Sequence, residues 1–532
     1  MPSAAPICSR RSHLFPSFQL CAITVLLASF ALNGLASQGA ARPLLLLISF
    51  DGWRWDYTDR AAAPNLRALA KRGIRANGLI PSFPSKTFPN HYTVVTGLYP
   101  DHHGIISNNM WDPIIGERFT MSASTAKDPR WWGGEPLWVT AVKQGRRASS
   151  MFWPGSEVEI GGVRPTDWKP YLDDFPNEER VAQVLAWLAL TESARPSFIT
   201  LYFSDVDTAG HTYGPEAPET LAAAARLDEQ LGALVTGIET LGLSARADII
   251  LVSDHGMSQQ AIDRKIVLDD YVDPATIDVI DWSPVLQVAP RQGSVDDLYR
   301  ALRGKHPSLA VYRRDELPGE LHYGKNPRVA PIVGIAADGW AITTRGRFDE
   351  TKDERRHSGG EHGYPGQYRS MHGLFVAAGP HLRSGLTVAA FENIHLYELM
   401  CSILGLRPAK NDGDAAVTKT FLRSGTTGTT GTTGTTGTTR HPAHGGAWRS
   451  QPSLPAPRFR PFARASLTVA RDPSAQPRTG MEGRSTTSSC RLFGGCITDH
   501  ALVGRPFTVR QAHGALSMPK GRAGTKPNVG QR

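Results

Sequence analysis

The chain has 532 residues, 40% hydrophobic, 20% charged and 8% aromatic, a balance that excludes wholesale disorder and leaves material for a sizeable core. Its formal net charge of +9 would point to a polyanionic partner if evenly spread, but residues 423–532 hold 16 Lys/Arg against three acidic residues, and Arg10 and Arg11 lie near the start. Residues 37–422 keep 40 basic and 46 acidic side chains, so the region expected to fold has no electrostatic footprint for nucleic acid, and no nucleic-acid partner is expected.

In chain order, Arg10 and Arg11, the apolar run 20–32 (LCAITVLLASFAL) and the small residues Gly34 and Ala36 follow the order of a secretory signal peptide cut after Ala36. That run is shorter than the roughly 20 residues a spanning helix needs, so no stable membrane anchor is expected. Cys8 and Cys21 lie in this leader and Cys490 and Cys496 near the other end, which leaves Cys401 alone between them. No disulfide can form within 37–422, as suits an exported, periplasmic or secreted, protein that does without them.

Residues 44–50 (LLLLISF) form a continuous apolar run of buried-strand length, and 64–72 (PNLRALAKR) carry apolar residues at helical spacing with Gly73 as a stop. Strand runs at 149–153, 197–203 and 248–253 then alternate with helical patterns at 137–144, 177–190 and 219–241. This alternation predicts an α/β fold, a mainly parallel central sheet with helices on both faces. From about 257 to 361, strand-like pieces (285–288, 309–312, 340–343) and a helix (294–302) predict a small inserted α+β subdomain, after which the sheet resumes at 373–378 and a helix follows at 395–404. Five Gly-Thr-Thr triplets from Gly425 open a basic, low-complexity tail (423–532), expected to be disordered and dispensable for activity.

Polar residues fall where ligands bind in open α/β sheets: Asp51, the pair Asp205 and Asp207, and Asp254-His255 each follow a strand run. A single Asp there is usually a turn or cap residue. The set is informative because Asp51, Asp207, His211, Asp254, His255 and His362 are all of metal-ligand type. Asp207 and His211, four apart, would share one face of a helical turn, and Asp254 and His255 would both reach an ion only from an irregular loop. Three Asp, three His and a hydroxyl suffice for two metals sharing an anion, with Zn²⁺ favoured and Mn²⁺ or Fe as competitors. Thr87, just ahead of a helical pattern over 90–96, is the candidate hydroxyl, since free N–H groups at a helix N-terminus favour anions.

The stretches 48–52 (ISFDG), 84–100 (PSKTFPNHYTVVTGLYP), 103–108 (HGIISN), 207–211 (DTAGH), 254–256 (DHG) and 361–364 (EHGY) resemble the nucleotide pyrophosphatase/phosphodiesterases of the alkaline phosphatase superfamily, across about residues 43–408. The resemblance implies an alkaline-phosphatase-like fold and two Zn²⁺, one held by Asp51, Thr87, Asp254 and His255, the other by Asp207, His211 and His362. It also implies Thr87 as nucleophile through a phosphothreonine intermediate, and Asn108 with the Thr87 N–H as phosphate binders. Phe88 and Tyr202, and less directly Tyr171, fall where bacterial members place aromatics around a nucleotide base. The implied reaction is hydrolysis of nucleotide phosphodiesters and phosphoanhydrides, nucleoside triphosphate giving monophosphate and pyrophosphate. His372 is the nearest competitor of His362, but its Met-His-Gly setting does not match the motif. His91, His102, His103 and His395 receive packing or supporting roles. Competing readings are a phosphomonoesterase, for which Lys86 or Arg54 would have to carry the extra phosphate charge, a lysophospholipid or choline-head-group diesterase, and a non-catalytic metal-dependent binding protein. The sequence leaves the oligomeric state open.

Overall fold

The computed structural model describes residues 42–122, 124–350 and 355–425. The expected leader (1–36) and all but the first three residues of the expected tail (423–532) lie outside the described residues. Main-sheet strands are β1 (Leu44–Phe50), β2 (Ile74–Ala76), β3 (Ala148–Met151), β4 (Asp167–Lys169), β5 (Phe198–Phe203) and β6 (Ala247–Val252). The insertion contributes β7 (Ile277–Asp281), β8 (Val285–Pro290), β9 (Leu309–Arg313) and β10 (Ile332–Ala336), and β11 (Phe375–Ala378) and β12 (Leu386–Val388) return to the main sheet. Its order is β12-β2-β11-β6-β1-β5-β3-β4. Every neighbouring pair is parallel except those made by β11, which runs against both β6 and β2.

The β1 sequence, apolar but for Ser49, follows from its central place. Side chains alternate across a strand, so Leu45 and Leu47 join one core, whereas Leu44, Leu46, Ile48 and Phe50 join the other. The longer helices are α1 (Pro64–Arg72), α2 (Thr87–Thr96), α3 (Leu137–Lys143), α4 (Asn177–Leu188), α5 (Asp205–Tyr213), α6 (Pro218–Thr240), α7 (Val295–Leu302) and α8 (Leu396–Leu404). Helices α2, α3 and α8 pack with Leu45 and Leu47; α1, α4 and α6 pack on the opposite face. Cys401 of α8 is buried and free.

Within the insertion, β7-β8-β10-β9 form an antiparallel sheet carrying α7, whose N-cap Ser294 makes a capping box with Asp297. The expected strand at 340–343 is present as Ala341–Thr343 but pairs with Lys265–Val267 rather than with this sheet. A second pairing, Ser258–Gln259 with Gly360–Glu361, ties the two ends of the insertion together next to His362. One expectation is corrected: α2 begins at Thr87, not at Asn90, so Thr87 is the first helical residue and Lys86 is its N-cap. Pro89 obscured this start, yet its missing N–H costs nothing in a first turn where N–H groups have no helical partner. No helix among the described residues is long and apolar enough to cross a membrane.

Candidate metal centre

Strands β6, β1 and β5 are adjacent and parallel, so their carboxyl ends open side by side. Asp51 follows β1, α5 starts two residues after β5, and Asp254 and His255 sit in the irregular loop after β6. Two triads result: Asp51, Asp254 and His255, all buried, and Asp207, His211 and His362. In the first, His255 Nε2 lies 3.4 Å from Asp51 Oδ1 and 3.0 Å from Asp254 Oδ2. In the second, Asp207 Oδ1 lies 3.5 Å from His211 Nε2 and 3.7 Å from His362 Nε2. The helical spacing of Asp207 and His211 on α5 makes them neighbours, as anticipated. The triads abut: the His255 and His362 rings stack with centroids 3.5 Å apart. Gly52, at φ +67°, lets the turn after β1 approach α5 so closely that a Cβ there would lie 2.8 Å from Asp207 Cα.

The donor chemistry fits divalent metal. Each triad histidine directs Nδ1 at a backbone carbonyl, His211 to Gly360 (3.0 Å), His255 to Gly256 (2.9 Å) and His362 to Ser85 (2.9 Å). That places the proton on Nδ1 and leaves the Nε2 lone pair facing the carboxylates. The carboxylate oxygens that meet these nitrogens, Asp51 Oδ1, Asp207 Oδ1 and Asp254 Oδ2, are buried and accept no hydrogen bond. Buried acceptors without donors are costly, and a cation in each triad would satisfy them. Burial, then the charges of Asp254 and Asp207, drives the Asp51 carboxyl well above the usual carboxylate range. Burial, reinforced by His255 and His211, holds His362 well below the usual imidazole range, hence neutral and ligand-competent.

Thr87 Oγ1 lies 3.4 Å from His255 Nε2, beside the first triad. Asn108 Oδ1 accepts the Phe88 N–H at 3.0 Å, which orients its amide NH₂ as the group left to donate. The Phe88 ring is half-buried against Phe119 and Trp132, with centroids 5.9 and 6.1 Å away. Tyr202 is buried, donates its hydroxyl to Asp51 Oδ2 at 2.6 Å and faces Tyr171, 41% exposed, with ring centroids 6.0 Å apart. Asp207 and His211 also line a cavity of about 540 Å³, together with Lys265, Trp282, Arg347 and Glu361. His372 stays outside both triads, with Nε2 at the Gly366 carbonyl (3.0 Å).

Sequence reasoning gave His91 only a supporting role and passed over Asp281 altogether. His91 Nε2 meets Ser49 Oγ at 2.8 Å, and its Nδ1 lies 2.8 Å from the Thr87 carbonyl and 3.3 Å from Asp254 Oδ2, so this ring braces a triad carboxylate against the start of α2. The spacing from Thr87 to His91, one helical turn, was the available signal. Asp281 had none, because its partners are Lys86, Ser107 and Asn109, more than 170 positions away.

Residues 45–365 match the family described as type I phosphodiesterase / nucleotide pyrophosphatase. The chain belongs to this family. Human ectonucleotide pyrophosphatase/phosphodiesterase family member 5 is 34% identical over 392 residues, 74% of this chain and 80% of that protein. A venom phosphodiesterase of Crotalus durissus collilineatus is 39% identical over 384 residues, 69% of this chain but only 45% of the relative, so the chain spans under half the length of that relative. The structure of murine family member 5, an inactive threonine-to-alanine variant in complex with AMP, superposes with a TM-score of 0.68 at 34% identity and covers 72% of this chain and all of the other. The α/β class expected from the alternation of elements is therefore the fold of this phosphodiesterase family.

Proposed function

We propose that the chain hydrolyses phosphodiester and phosphoanhydride bonds of nucleotides, releasing a nucleoside monophosphate, and from triphosphates also pyrophosphate, through a phosphothreonine at Thr87. The observation that carries this reading is the pair of abutting Asp/His triads, with three unsatisfied carboxylate oxygens, beside a hydroxyl at a helix N-terminus. Two Zn²⁺ held by Asp51, Thr87, Asp254 and His255 and by Asp207, His211 and His362 would supply Lewis acidity, lowering the hydroxyl pKa and offsetting charge on the phosphoryl and leaving oxygens.

The rest of the chemistry belongs to the protein. Thr87 Oγ forms a bond to phosphorus in line as the leaving oxygen departs, and water then attacks the same phosphorus and frees Thr87. Asn108 and the Thr87 N–H donate to a phosphoryl oxygen, where charge builds in the transition state. Phe88, with Tyr171 and Tyr202, gives a base an aromatic surface. The cavity lined by Asp207 and His211 is space for the leaving group. The relative captured with AMP, and described as inactive on loss of a threonine, favours this assignment. We further place the catalytic unit at 37–422 and infer export, in line with relatives described as venom and ectonucleotide enzymes.

The deciding experiment compares catalytic efficiencies of the zinc-loaded protein on the nitrophenyl ester of thymidine monophosphate and on nitrophenyl phosphate. The diester should be strongly preferred, and Thr87→Ala should lose several orders of magnitude in kcat while still binding zinc in part. Preference for the monoester would overturn the substrate assignment, and near-normal activity of the alanine variant the covalent mechanism.

A further inference from the structure

Asp281, the last residue of β7 in the insertion, is buried, and both of its carboxylate oxygens are fully engaged. Oδ2 accepts from Lys86 Nζ at 2.6 Å and from the Ser107 hydroxyl; Oδ1 accepts from the Trp282 N–H at 3.0 Å and from Asn109 Nδ2 at 3.2 Å. The donors are not scattered. Lys86 directly precedes Thr87, and Ser107 and Asn109 flank Asn108, so one carboxylate pins both segments that carry the groups assigned to the phosphate. The Lys86 stem reaches Asp281 past Gly363, the neighbour of His362, where a Cβ would lie 3.2 Å from Lys86 Cε.

The charge balance has a further consequence. A phosphate monoester carries one more negative charge than a diester, and an ammonium next to the nucleophile would favour it. Here the ammonium is buried against a carboxylate, which cancels its field over a distance at which a lone buried charge would be felt. We propose that Asp281 is a positioning and specificity-determining residue: it clamps the Thr87 and Asn108 segments together and neutralises Lys86, so that the site favours diesters over monoesters. The proposal rests on the phosphodiesterase reading above.

The test uses Asp281→Asn, which keeps the shape but turns one accepting oxygen into a donating NH₂ and takes away the carboxylate paired with Lys86. Expected is a loss of about 100-fold in kcat on the nitrophenyl ester of thymidine monophosphate with KM little changed, the size of effect a misplaced catalytic group produces. Nitrophenyl phosphate should lose far less, so that the diester-to-monoester ratio of kcat/KM falls at least about tenfold. Removing both charges, in Lys86→Gln with Asp281→Asn, should bring the ratio back to within about threefold of wild type while diester kcat stays low. Equal losses on both esters, or no loss, in Asp281→Asn would overturn the proposal. If that variant does not fold, the double variant decides, because a ratio moved more than about tenfold would mean the two charges had not been cancelling. A wild-type protein that prefers the monoester would instead refute the function itself.

Discussion

A Gly52→Ala substitution should force the two triads apart. Gly52 sits at φ +67°, and an added Cβ would lie 2.8 Å from Asp207 Cα and 2.9 Å from Asp207 Cβ, where ordinary contact begins at 3.4 Å. The start of α5 must therefore retreat by about 0.6 Å or more, and a displacement approaching 1 Å at reacting groups costs on the order of 100-fold in rate. The left-handed backbone adds about 1 kcal/mol of strain for a residue with a Cβ. Gly385 separates the two effects, since it has φ +66° and no atom within 4 Å of an added Cβ. Gly385→Ala should lose only the strain, measured by urea unfolding, and keep full turnover. Gly52→Ala should lose more stability, fall about 100-fold in kcat on a nucleotide diester, and bind Zn²⁺ more weakly than wild type in competition with a chromogenic chelator. If it matched Gly385→Ala in stability and wild type in kcat and zinc content, the claim that the triads must abut would fail.

Two further outcomes are expected. His103 is fully buried, with Nε2 against Thr93 Oγ1 at 3.0 Å and Nδ1 accepting the Ile105 N–H, and burial pushes its pKa down to about 3. Its folded value lies below its unfolded one, so its stabilising contribution is complete above about pH 6.5 and is lost as pH falls from there toward 3. Between pH 7 and 5 this amounts to about 2 kcal/mol, so His103→Gln should be correspondingly less acid-sensitive in urea unfolding than wild type; an unchanged difference between the two pH values would contradict the assignment. Chelation of divalent metal should lower Tm, because Asp51, Asp207 and Asp254 then face one another without a cation, and two equivalents of Zn²⁺ should restore it. A Tm indifferent to chelation would argue against a metal at these triads.

Much of the fold was legible locally. The run 44–50 reads as a two-faced buried strand because six of its seven residues are apolar, Ser49 being the exception, and leave no solvent face, and β1 has these bounds. The ligand-type residues were visible for a related reason: polar residues shortly after a buried strand stand near the sheet edge, and Asp51, Asp207 and Asp254 lie one, four and two positions past the ends of β1, β5 and β6. Periodicity also placed Asp207 and His211 on one helical face. The strands Ile277–Asp281 and Ile332–Ala336 were missed, since short apolar or mixed runs lack a distinguishing period.

Sequence alone thus determined the α/β class and most element types, and singled out the ligand-type residues, because these depend on residues a few positions apart. Tertiary structure decided what depends on distant backbone meeting in space: that β11 runs against its neighbours, that the ring-stacked His255 and His362 join the two triads, and that the Tyr202 hydroxyl belongs to Asp51. It also brought Asp281 to Lys86 across 195 positions, a pairing that leaves no local pattern because it is selected by burial and charge after the chain has folded.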